Sequence, residues 1–128
     1  MNSNIKLAKE WTQKAEDDLR NAEVLLKEGG TTDAICFHSQ QAVEKYLKAF
    51  LVFHNLPVRK IHSLVALAKQ SAQKEQGLLN FMREYKTLEA YYIESRYPPD
   101  TLVYSENEGE IAFKMVSEIT GFINNLLF

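Results

Sequence analysis

Near the N-terminus the apolar residues Leu7, Ala8, Trp11, Ala15, Leu19, Ala22 and Leu26 recur at the spacing of one helical face, with charges on the opposite side. Gly29-Gly30 stops this helix; Thr31 or Thr32 can cap the next, and Asp33 suits its first turn. The second helix is predicted to run to about Phe53, where His54-Asn55-Leu56-Pro57 breaks it. So short a connection makes the first two helices an antiparallel hairpin. A third, shorter helix begins near His62 and carries Leu64, Leu67 and Ala68. A fourth carries Leu78, Leu79, Met82, Tyr85, Leu88 and Tyr92 and must end before Pro98. A fifth carries Ile111, Ala112, Met115, Val116, Ile119, Phe122, Ile123 and Leu126. No segment sustains period-two alternation. The expected fold is all-α: a five-helix up-and-down bundle built on a long antiparallel helix pair, forming one domain over residues 1–128.

The second helix departs from simple amphipathicity. Ile35, Cys36, Val43, Tyr46, Leu47, Phe50 and Leu51 spread around well over a third of its circumference, so it should be packed on several sides and lie centrally. What remains is a narrow polar stripe of His38, Gln41, Lys45 and Lys48, with Glu44 beside it. Two readings fit. The stripe is a solvated strip whose lysine stems cover apolar surface, or two ammonium groups and an imidazole meet phosphate oxygens. On the first helix, Asp18 lies within the apolar stripe, adjacent to Leu19. A buried carboxylate needs a partner, and Lys45 and Lys48 are the candidates across the hairpin.

With 128 residues, few Gly and Pro and an ordinary apolar fraction, the chain is large enough for a core without staples. Its single cysteine, Cys36, excludes an intrachain disulfide, and no cysteine pair is present to hold zinc. The N-terminal residues form no secretory h-region and no apolar run approaches a membrane span, so a cytoplasmic protein without membrane contact is expected.

The net charge of −2 argues against a polycationic nucleic-acid binder, but the charge is unevenly distributed. Lys45, Lys48, Arg59, Lys60, Lys69 and Lys74 share a window with no acidic residue, and His54 and His62 fall in it too. Acids dominate from Glu84 to Glu110. A basic segment of this kind can attract phosphate while the whole molecule stays acidic. Further along, Arg96 and Tyr97 precede Pro98-Pro99 in a stretch dense in tyrosine. The arginine suits a helix C-terminus, and it or its tyrosine neighbours can also engage a base.

Gly29-Gly30 is followed by no Lys-Ser or Lys-Thr, so there is no phosphate loop, and no nucleophile elbow is present. His54 and His62 lack carboxylate or thiol ligands at close spacing, so no metal site is expected.

Several blocks resemble the HEPN domain family (higher eukaryotes and prokaryotes nucleotide-binding domain). They are Ala15-Glu16-Asp17-Asp18-Leu19, the run from Phe37 to Ala49, Ile61-His62-Ser63-Leu64, and Arg96-Tyr97-Pro98. The resemblance spans roughly Lys6 to Phe122. It implies a five-helix bundle on a long antiparallel pair, commonly a homodimer, associated with nucleotide or RNA. It also implies a neighbouring minimal nucleotidyltransferase as the partner of a toxin–antitoxin pair. No cofactor is expected. Carried over by position, His38, Gln41, Glu44, Lys45, Lys48, His62, Arg96 and Tyr97 become ligand-binding candidates, with Asp18 a structural polar residue. One departure matters. Ribonucleases of the wider superfamily carry an Arg followed four to six residues later by His, whereas His62 is the last histidine here and Arg96 is followed by none.

The first expectation is therefore a binding module for nucleotide or RNA. The alternatives are a divergent metal-independent ribonuclease with His62 and Arg96 as catalytic candidates, and a non-catalytic dimeric scaffold. Whether the stripe residues share one place or scatter into solvent separates them.

Overall fold

The computed structural model describes residues 2–94 and 107–128, with backbone alone for residues 2 and 92–94. Among these residues the chain forms five α-helices: α1 Asn2–Lys27, α2 Thr32–Phe53, α3 Leu64–Ser71, α4 Met82–Glu94 and α5 Glu108–Asn124. A 3-10 turn, Gln76–Phe81, precedes α4. Arg96, Tyr97 and Tyr104 lie outside the described residues.

The hairpin closes as the glycines predict. Gly29 takes a left-handed backbone (φ 76°), and the Gly30 N–H donates to the Leu25 carbonyl at 2.6 Å, the 6→1 bond of a Schellman end. The same device ends α2 without glycine: Asn55 is left-handed (φ 58°) and the Leu56 N–H donates to the Leu51 carbonyl at 2.8 Å. At the start of α2, Thr31 occupies the cap position in extended conformation, but its side chain makes no capping bond. Ser63 does cap α3, accepting from the Ala66 N–H at 3.1 Å.

Two elements differ from the periodicity. The fourth predicted helix is split, because Leu78 and Leu79 belong to the 3-10 turn, whose first turn the Glu75 carboxylate caps at Gly77 N–H. The Tyr85 hydroxyl, fully buried, donates to the Leu78 carbonyl at 2.8 Å and ties the turn to α4. Leu7, read as part of the α1 stripe, is 45% exposed. It is rotated about 100° from Ala8, which puts it off the buried face.

α2 is central, packing against α1, α3, α4 and α5. Its Val43, Leu47, Phe50 and Leu51 form the middle of the core with Leu64, Leu67, Leu88, Val116, Ile119 and Ile123. Burying each such large side chain contributes about 1.5–3 kcal/mol. On α1, Ala8, Ala15 and Ala22 stand seven residues apart and are fully buried. Their small side chains let α1 lie close along α2, which brings Asp18 within reach of α2's polar face.

No helix among the described residues is long and apolar enough to cross a membrane.

Candidate functional site

The polar face of α2 resolves into two files of side chains. His38, Gln41 and Lys45 form one; Gln40, Glu44 and Lys48, at i, i+4 and i+8, form the other. Each file is organised around one carboxylate that accepts from both an imidazole and an ammonium group.

In the first file the carboxylate is Asp18, supplied by α1. Its Oδ1 lies 2.8 Å from His38 Nδ1, and its Oδ2 accepts from Lys45 Nζ at 2.5 Å. Asp18 is buried, whereas the His38 and Lys45 side chains are each about a quarter exposed. The expected partner across the hairpin is thus present as Lys45. Lys48 is not that partner, and His38, unforeseen in this role, is the second. An ionised aspartate only accepts, so the proton between it and His38 belongs to Nδ1.

In the second file the carboxylate is Glu44 itself, with only 4% of its side chain exposed. Its Oε2 accepts from Lys48 Nζ at 3.0 Å, its Oε1 accepts from Gln40 Nε2 at 3.2 Å, and both oxygens lie 3.2 Å from His62 Nδ1. Lys48 is 8% exposed, and its ammonium also lies 5.5 Å above the Trp11 ring. Lys48 is therefore held inside, neutralising Glu44. His62 differs: half of its side chain is exposed. It arrives from the segment between α2 and α3, which also exposes Arg59 and Lys60.

The segment bearing His62 is fastened from a second side. Glu89 of α4 accepts from the Ser63 hydroxyl at 3.0 Å and from the Val65 N–H at 3.4 Å, so an acid stands at the start of α3, where the helix dipole favours one. Gln40 Nε2 also reaches the His62 carbonyl at 3.5 Å. The two files meet at Gln41, whose Nε2 donates to Gln40 Oε1 at 2.7 Å.

Of the predicted residues, Asp18, His38 and Lys45 thus form one bonded group, and Gln41, Glu44, Lys48 and His62 form a second through Gln40, both along the polar face of α2. Gln40 and Glu89 were missed. The four-residue spacing of Gln40, Glu44 and Lys48 was the available signal for Gln40. Glu89 had none, because its role depends on how α3 and α4 pack. Among the described residues, no three His, Cys, Asp or Glu side chains are grouped to hold a metal ion.

Cys36 stands apart from this region. It is fully buried, its thiol lies 3.8 Å from the Glu108 carbonyl, and burial with the nearby Glu108 charge pushes its pKa up to about 12.

A bundle built on a close antiparallel helix pair, with a carboxylate-organised polar face on the second helix, defines a class of small helical domain. The chain belongs to the HEPN family: the HEPN domain model matches residues 8–126. It is 35% identical over 101 residues to the protein named "Putative toxin MJ1304" of Methanocaldococcus jannaschii. That match covers 74% of this chain and 66% of the relative, so the aligned part spans just under two thirds of that protein. Among solved structures, it resembles TT1696 from Thermus thermophilus with a TM-score of 0.83 at 28% identity, covering 94% of this chain and 98% of that one. ST0689, an archaeal HEPN homologue, superposes with a TM-score of 0.74 at 26% identity, covering 93% and 96%.

Proposed function

We propose that this chain is a toxin-type HEPN module that binds the phosphates of nucleotides or single-stranded RNA beside the polar face of α2. The observation that carries this reading is the setting of His62: a half-exposed imidazole, backed by a buried carboxylate, following closely on the exposed Arg59 and Lys60. His38 and Lys45 extend the polar surface along α2, since the seven positions from one to the other rise about 10 Å. The match to a protein named as a toxin supports the class, and the family resemblance supports a homodimer acting in the cytoplasm with a nucleotidyltransferase antitoxin.

Titration of the protein with ATP, GTP and fluorescent RNA oligonucleotides tests the reading. RNA affinity should fall as salt rises, and Arg59→Ala and Lys60→Ala should each weaken it while lowering the salt slope by about one contact. Binding no tighter than millimolar, unchanged in both variants, refutes it. A mass in solution of twice the 14.7 kDa chain tests the dimer.

A second reading is favoured by one specific feature, the clamp of Glu44 on His62 Nδ1, which suits the imidazole for proton transfer. On this reading the protein cleaves RNA without metal. Cleavage that persists in EDTA and disappears in His62→Ala supports it; an inert wild-type protein, free of any partner, rejects it.

A further inference from the structure

Gln40 is fully buried in the middle of α2, where nothing in the hydrophobic pattern calls for an amide. Three contacts fix its orientation. Its Nε2 faces two acceptors, Glu44 Oε1 at 3.2 Å and the His62 carbonyl at 3.5 Å, while its Oε1 accepts from Gln41 Nε2 at 2.7 Å. Turning the amide over would set its oxygen against two oxygens and its NH2 against another NH2, so the hydrogen-bond pattern permits one orientation only.

The consequence reaches His62. Glu44 presents both oxygens to Nδ1, at 3.2 Å each, and an ionised carboxylate can only accept. Gln40 anchors one of those oxygens and Lys48 the other, at 3.0 Å, so the carboxylate cannot turn away from the ring. Gln40 also holds the backbone of His62 itself. It therefore fixes both the acceptor and the residue that donates to it.

We infer that Gln40 is a positioning residue for His62: through Glu44 it makes the neutral imidazole the Nδ1–H form and leaves Nε2 as the basic nitrogen. The inference deepens the reading of this site as one for RNA or nucleotide. Its central claim is read on the free protein, so its failure is distinguishable from failure of ligand binding.

Among the described residues, Glu44, paired with Lys48 of α2, lies against the ring, and Glu89 of α4 lies against the adjoining Ser63. The test is nitrogen-15 NMR of the histidine rings at a pH where His62 is neutral, on wild-type protein and on Gln40→Met, which keeps length and removes the donor. The wild-type ring should show a protonated Nδ1 and an unprotonated Nε2. In natively folded Gln40→Met the two nitrogen shifts should move toward each other as the tautomers mix. A wild-type ring protonated at Nε2 overturns the inference, as does a folded Gln40→Met with an unchanged ring. If Gln40→Met does not fold, Gln40→Leu, which also removes the amide at similar volume, takes its place. Partial convergence of the shifts then supports the inference, and an unchanged ring overturns it.

Discussion

Neutralising Glu44 isolates the cost of the buried charge. Glu44→Gln keeps the shape and one carbonyl oxygen, so Gln40 or His62 retains an acceptor. What is lost is the negative charge 3.0 Å from Lys48 Nζ. With 8% of the Lys48 side chain exposed, its ammonium has little water to turn to, though it keeps the Trp11 face, 5.5 Å away. Breaking a pair this deeply buried costs about 3–5 kcal/mol. The lower end, about 3 kcal/mol, applies here because the neutral amide still offers an oxygen and the Trp11 ring offsets part of the loss. For a chain of this length each kcal/mol lowers the midpoint by about 4 °C, so Glu44→Gln should melt about 12 °C below wild type. Adding Lys48→Met removes the stranded cation, and the double variant should recover most of the stability, because a buried pair replaced by apolar volume is often neutral. Urea titrations followed by circular dichroism and by the emission of Trp11, the one tryptophan of the chain, measure the cycle. A cost for Glu44→Gln below about 1 kcal/mol, or strictly additive single variants, would refute this account of the second file.

Two further outcomes concern the scaffold. Gly121 sits in the exposed interior of α5 with nothing within 4 Å of an added Cβ, so Gly121→Ala should raise stability by about 0.5–1 kcal/mol in the same urea assay. The Cys36 thiol should resist a water-soluble thiol reagent at pH 8 in folded protein and react at once in denaturant. The pH dependence follows from the raised pKa: the unfolded thiol ionises near 9.0 and the folded one near 12. The Cys36 contribution to stability is therefore whole below pH 9 and is lost as pH climbs from there toward 12, a loss that Cys36→Ala should not show.

The helices were legible because their causes are local. The apolar spacing of α1, the glycine stop and the broad apolar surface of α2 each follow from a few consecutive residues. The split before α4 was not legible, because a continuing apolar file from Leu78 to Leu88 conceals the tight turn capped by Glu75. In the site, Asp18 announced itself as a carboxylate in an apolar stripe, and Lys45 answers it as the spacing suggested. Lys48, the other candidate partner for Asp18, pairs with Glu44 instead. Its neighbour four residues back and the Trp11 ring decide its fate, and only the packing of α1 on α2 brings that ring within range. Glu89 and the clamp on His62 were out of reach, since both join segments whose relation is set by the fold.

The alanines of α1 carry a consequence for the charges. Ala8, Ala15 and Ala22 keep the buried face of α1 small, and Asp18 of the same helix meets His38 and Lys45 of α2. Hydrogen bonds fail steeply beyond about 3.5 Å. A bulkier residue anywhere along that file would wedge the helices apart and uncouple acid from base without touching either. The chemistry available on α2 is thus gauged by the volume α1 leaves out: a spacer with no polar atom of its own determines whether the polar atoms can meet.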